Sequence, residues 1–230
     1  MSNFSHQPSK PKSGTLLKSY YILLNAHSTA SSFYDIFEKT RKQRNATGTP
    51  TDEEQDLLRA MLLFSSSGLD SMIKQLIQDT LPQLIEMDEI NSKFKSFIES
   101  RLSNQAGINI KLLSDVLTSP NSREALKNEL VQDLLSGSLQ SKEQIYKVAS
   151  FFNINEKELN IDKQLIKDVF TARNFIVHEM DVDFNQPNRT RRPRKKEDMK
   201  NYCNEIFKIS NNILHAVDAK VLESSQSGGN

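Results

Sequence analysis

The chain has 230 residues, 37% hydrophobic and 26% charged, with a net charge of +1. That is enough apolar material for one large domain, and too balanced a charge for the molecule as a whole to be a polyanion binder, so a nucleic-acid site has to come from local clustering. The single cysteine, Cys203, excludes an internal disulfide and a thiolate zinc site, and no apolar run approaches the roughly 18 residues that span a bilayer.

The first 14 residues, MSNFSHQPSKPKSG, are polar and lack the apolar core of a secretory signal. They are expected to be disordered, and a soluble, cytoplasmic protein is expected with them. From there helical spacing dominates. Leu17, Tyr20, Tyr21, Leu24, Phe33, Tyr34 and Phe37 recur three and four apart and predict a helix from about Thr15 to Arg44. RNATGTP breaks it. Thr51 followed by Glu54 is a capping-box signature and predicts the start of a second helix. Its apolar stripe runs through Leu58, Leu62, Leu69, Ile73 and Leu76, with Pro82 near the end.

Residues 84–158 are choppier. NSKFKSFIESRL, IKLLSDVL, SREALKNELVQDLL and KEQIYKVASFF read as short helices, two of them preceded by capping pairs, Asn121 with Glu124 and Ser141 with Gln144. A buried helix resumes at about Asp162 and ends near His178. A charged loop with Pro187 and Pro193 leads to a last long helix from about Lys196 to Glu223, and the tail SSQSGGN (224–230) has a linker-like, disordered composition. Residues 15–83 and 159–223 thus supply four long helices, with 84–158 as a helical insertion or subdomain between the second and third. The fold class is all-α, a helical bundle with an insertion.

The chemistry concentrates in TARNFIVHEMDVDF, residues 171–184. At about 100° per residue, Asn174 and His178 share a helix face, while Arg173 and His178 stand about 140° apart. A guanidinium binds phosphate in a bidentate manner and stabilises charge that builds up on it. A histidine exchanges protons near neutral pH. RNA carries its own nucleophile, the 2′-hydroxyl, so such a set needs no metal.

RNFIVH resembles the R-x4-6-H motif of the HEPN superfamily, with Arg173 as the motif arginine, Asn174 as the polar residue often beside it and His178 as the motif histidine. The resemblance implies a HEPN-like bundle of four long helices, a metal-independent endoribonuclease of a toxin–antitoxin, phage-defence or RNA-processing setting, and a homodimer in which two motifs form one cleft. It implies RNA as substrate, an antitoxin or defence-system protein as partner, no membrane and no cofactor. It does not account for residues 84–158. A non-catalytic HEPN-like module that binds RNA or a protein, and a helical interaction protein without a nucleic-acid role, remain alternatives. In the latter Arg173 pairs with Asp168 or Glu179, and His178 merely caps the helix.

Other clusters are weighed beside it. RTRRPRKK, with Arg189, Arg191, Arg192, Arg194, Lys195 and Lys196, reads as an electropositive loop holding an RNA backbone near His178, or as a solvated loop. Its lack of apolar periodicity suggests that the fold survives its neutralisation. His178, Glu179, Asp181 and Asp183 offer oxygen and nitrogen ligands, but their spacing matches no metal motif. In SSSGLDSMIKQ, Ser65, Ser66 and Ser67 read as the exposed side of the helix or as a polar patch facing the active cleft, and Asp70 and Lys74 are spaced for an ion pair. His27 and His215 lie on other helices. No glycine-rich phosphate loop and no G-x-S-x-G nucleophile elbow is present.

Overall fold

In the computed structural model, which describes residues 3–45, 47–104, 107–139 and 141–227, the chain is all-α. Among the described residues the helices are α1 (Leu17–Gln43), α2 (Asp52–Leu84), α3 (Asp88–Leu102), α4 (Ile110–Thr118), α5 (Ser122–Ser136), α6 (Lys142–Phe151), α7 (Glu156–Leu159), α8 (Lys163–Glu179) and α9 (Lys196–Ser227). Extended pairing there is confined to a two-residue antiparallel ladder, Ser103–Asn104 with Gly107–Ile108, and a bridge between Val182 and Arg191.

α2 is the central helix and packs against α1, α9, α8 and α5. Its sequence makes it so: 17 of its 33 residues are buried, a stripe too wide to serve one neighbour alone. The stripe includes polar residues, which cost energy in a core unless bonded. Ser65, Ser66 and Thr80 are among them, and each hydroxyl donates to the carbonyl four residues back. Ser65 and Ser66 are therefore interior, not the exposed side of the helix.

The start of α2 is fixed by the capping box: Thr51 Oγ1 accepts from the Glu54 N–H and a Glu54 carboxylate oxygen accepts from the Thr51 N–H. Glu54 also receives Arg41 and Arg44 from the end of α1, at 3.0 and 2.9 Å. Burial alone would raise the Glu54 carboxyl, but the Thr51 amide and the two guanidinia hold it below the usual carboxylate range. Arg41 meets Glu54 at one end, and Gly68 lies against Ala26 further along, so α1 and α2 run antiparallel. A Cβ on Gly68 would lie 2.2 Å from that of Ala26. The glycine is what lets the two backbones come so close.

By the same kind of pairing, α8 runs antiparallel to α2, with Asp181 just after α8 bonded to Arg59. α9 runs antiparallel to α1, with Lys196 beside Glu38 and Phe207 against His27. The four long helices thus alternate in direction. α3 to α7 lie between the second and third in sequence, and their side chains Phe94, Leu130, Leu134, Ile145 and Phe152 join the same continuous core as Leu69, Ile73 and Leu214. The insertion shares the bundle's interior and does not build a core of its own. Asp70 of α2 helps to hold it, accepting the Leu139 N–H at 2.8 Å.

The N-terminal segment departs from the expected disorder. Phe4 is buried against His27, Tyr34 and Phe207. The backbone N–H groups of Ser5 and Ser9 donate to Asn204 and Asn211, and those of Lys12 and Ser13 donate to the Asp218 carboxylate. These three acceptors stand seven residues apart on α9, two helical turns each, so they form one row that catches an extended strand. At the other end α9 continues through Ser227, so residues 224–227 are helical and not a loose tail, while 228–230 lie outside the described residues, as do 1 and 2.

Candidate functional site

α8 begins at Asp162, whose carboxylate accepts the N–H groups of Gln164 and Leu165. Ile166, Val169, Phe170, Ala172 and Ile176 face the core. That choice of face decides the rest. Arg173 is left half-buried at the edge, and Asn174, Val177 and His178 are exposed.

Arg173 donates from Nη1 to Asn174 Oδ1 at 3.0 Å. It makes no ion pair among the described residues. The two acids that could have neutralised it are engaged elsewhere: Asp168 accepts from Gln164, and Glu179 pairs with Arg192 at 3.0 Å. Burial pushes the guanidinium down from its ordinary value, and the charge of Asp70 opposes that shift. Arginine remains protonated in any case. Asp70 itself is shared between Lys74, at 3.0 Å, and the Leu139 amide. The predicted Asp70–Lys74 pair is thus present, and it lies on the side of α2 that Arg173 approaches.

His178 sits in the last turn of α8. Five residues separate it from Arg173, about 7.5 Å along the axis. The helix then ends abruptly. Phe175 O accepts the N–H groups of both Met180 and Asp181, and both of these residues adopt left-handed φ, 50° and 62°. For residues other than glycine this costs about 1–2 kcal/mol each.

The compensation is visible at Asp181. The turn drives its carboxylate into the protein, where it is fully buried and receives Arg59 Nε at 2.7 Å and Arg194 Nε at 2.8 Å. Arg59 reaches further, donating to the Arg192 carbonyl at 3.0 Å and pairing with Asp56. Arg191 also pairs with Asp56. Arg192 lies 3.8 Å over the Phe175 ring and donates to the Val182 carbonyl.

Most of the basic run is engaged within the protein. Arg192 and Arg194 are turned inward as anchors, Arg191 pairs with Asp56 at the surface, and Lys196 pairs with Glu38 and Glu197. Only Arg189 and Lys195 of the six are exposed without an ion pair among the described residues. Removing one partner of a buried pair costs about 3–5 kcal/mol. Arg194 and the fully buried Asp181 form such a pair, so neutralising Arg194 is a change to the fold as well as to the surface charge. Arg59, which the sequence hides as one more polar residue on a long helix, is the hub of this arrangement.

Glu179, Asp181 and Asp183 do not converge with His178. Glu179 belongs to Arg192, Asp181 to Arg59 and Arg194, and Asp183 faces Arg192 at 3.9 Å. Among the described residues no group of three or more histidines, cysteines or acids is placed to hold a metal ion. His27 is enclosed by Phe4 and Phe207, and His215 is hydrogen-bonded to Ser9 Oγ. Cys203 is fully buried, and burial pushes its thiol up to about 12 against the opposing hydrogen bond from Ser65.

At the end of α8 and just after it, Val177, Met180 and Phe184 are exposed apolar side chains close to His178 in sequence. At the Arg59–Asp181 end of the bundle an open groove of about 1030 Å³ lies between the end of α1, the α1–α2 connection and residues 193–197. No described helix is long and apolar enough to cross a membrane. Set against known proteins, the chain matches no family model, no curated protein and no solved structure.

Proposed function

We propose that the chain is a metal-independent endoribonuclease of HEPN type, acting through Arg173, Asn174 and His178. The observation that carries this reading is the state of Arg173. It is a half-buried guanidinium with no carboxylate partner among the described residues, oriented by the Asn174 side chain, on the helix whose next turn exposes an imidazole. An arginine kept out of ion pairs at a helix edge is available to an external anion such as a phosphodiester.

In the proposed reaction, His178 takes the proton of the ribose 2′-hydroxyl. The 2′-oxygen attacks phosphorus, and Arg173 stabilises the charge that builds on the non-bridging oxygens. The bond to the 5′-oxygen breaks, and that oxygen leaves with a proton from an imidazolium. The products are a 2′,3′-cyclic phosphate and a 5′-hydroxyl. One imidazole cannot hold both protonation states at once. A homodimer with two motifs in one cleft supplies the second, and Val177, Met180 and Phe184 give such an interface its apolar rim.

The test is single-turnover cleavage of single-stranded RNA in EDTA, with the oligomer mass measured on the same sample. Wild type cleaves as a species of about twice 26.2 kDa; His178→Ala slows it by about 10²–10⁴-fold and Arg173→Ala by about 10²–10³-fold. Equal rates in a folded His178→Ala variant would refute the assignment, and full activity of a monomer would refute the paired cleft. The same apolar rim favours a second reading, a non-catalytic module docking on a partner such as an antitoxin or defence-system protein. Absence of cleavage by wild type selects it.

A further inference from the structure

The groove at the Arg59–Asp181 end carries six cations and two carboxylates on its walls. Three of the cations are satisfied internally: Arg41 by Glu54, Arg194 by Asp181, and Lys196 by Glu38 and Glu197. Glu38 and Glu197 are the two wall carboxylates, so both are already engaged. Lys39, Lys42 and Lys195 are left exposed, with no ion pair among the described residues. Lys39 and Lys42 are three apart on α1 and so share a face. Lys195 reaches the same groove from the connection before α9, and the anchoring of Arg191, Arg192 and Arg194 holds that connection in place.

We propose that this groove binds the phosphate backbone of single-stranded RNA without reading its bases. The free cations are lysines, compact point charges that suit phosphate oxygens and have no planar fork for a particular partner. The one aromatic ring in the wall, Phe37, is 1% exposed and offers no face on which a base could stack. Pro50 and Pro193 stiffen the two rims. An open, rigid trough with three uncompensated charges fits a few successive phosphates of a flexible strand. The choice of RNA as the polyanion rests on the nuclease reading above; the phosphate chemistry does not.

The experiment measures the affinity of a fluorescent single-stranded RNA homopolymer against salt, in the His178→Ala background to prevent cleavage. Lys39→Gln, Lys42→Gln and Lys195→Gln are combined, with circular dichroism to verify the fold. Each lost phosphate contact lowers the log–log slope by about 0.7, so the triple variant loses about 2. A control removes the same charge elsewhere on the surface, through Lys18→Gln, Lys111→Gln and Lys157→Gln, and keeps most of the slope. Unchanged slopes in the groove variant, or an equal loss in the control, overturn the proposal. So does a groove that takes inorganic tripolyphosphate in a lysine-dependent way but not RNA. A chain that cleaves nothing yet shows the slope difference keeps the groove and loses the nuclease. One that cleaves RNA with unchanged slopes does the reverse.

Discussion

His27 and His178 are the same side chain in opposite surroundings, and their difference shows how burial assigns roles. His178 stands exposed at the end of α8. His27 is 8% exposed between Phe4 and Phe207, and desolvation lowers its pKa from the ordinary 6.5. The unfolded chain therefore binds a proton at His27 more readily than the folded one. The stability this site contributes is present above about pH 6.5 and is lost as the pH falls toward the lowered folded value. Urea-denaturation midpoints are expected to drop between pH 7 and pH 5, and His27→Leu to flatten that drop. An unchanged pH dependence in the variant would place the effect elsewhere. The paired carboxylates such as Glu54 and Glu86 have lowered values and titrate in a separate, more acidic window. At this scale the sequence singles out Arg173, Asn174 and His178 as candidates, because a short motif is local. It could not reveal that Arg191 and Arg59 are committed to Asp56 and Asp181, since Arg191–Asp56 and Arg59–Asp181 are 135 and 122 residues apart.

Between elements, the contact of α1 with α2 turns on Gly68. In an isolated helix Gly→Ala stabilises by about 1 kcal/mol. Here the added methyl would meet Ala26 Cβ at 2.2 Å, inside any real contact. Gly68→Ala is expected to destabilise by about 1–3 kcal/mol, the usual range for overpacking, and Ala26→Gly in the same chain to recover part of it. The measurement is the denaturation midpoint of the two singles and the double. A stabilised Gly68→Ala would show that the helices separate freely. The helices themselves were legible in the sequence where their signals are long or chemically specific. Thr51 and Glu54 marked the start of α2, and the apolar spacing from Ile161 to Ile176 marked α8. α7 escaped notice because four residues carry no periodicity, although its Asn155–Glu158 capping box is of the same kind. The basic run read only as a charged loop, because its order comes from distant carboxylates and not from apolar spacing.

Over the whole molecule, the first and last segments of the described chain are joined. The strand from Ser5 to Ser13 follows Asn204, Asn211 and Asp218 along α9, and Phe4 closes the core over Phe207. Composition alone suggested disorder at 1–14, because a polar strand held by backbone bonds needs no hydrophobic pattern of its own. The row of acceptors on α9 was the available signal. One turn before Phe207 lies Cys203, sealed and with its thiol held protonated. Only a thiolate attacks an alkylating reagent, so in the native state Cys203 reacts only during moments when the core opens. The chain's single sulfhydryl is therefore a built-in stopwatch for that opening, readable by mass spectrometry without any added label site. Phe4→Ala, which removes about 3–5 kcal/mol of packing, is expected to quicken alkylation of Cys203 by about 10²-fold or more under conditions where both proteins remain folded. Equal rates would mean that the strand can peel away while the interior beneath it stays shut.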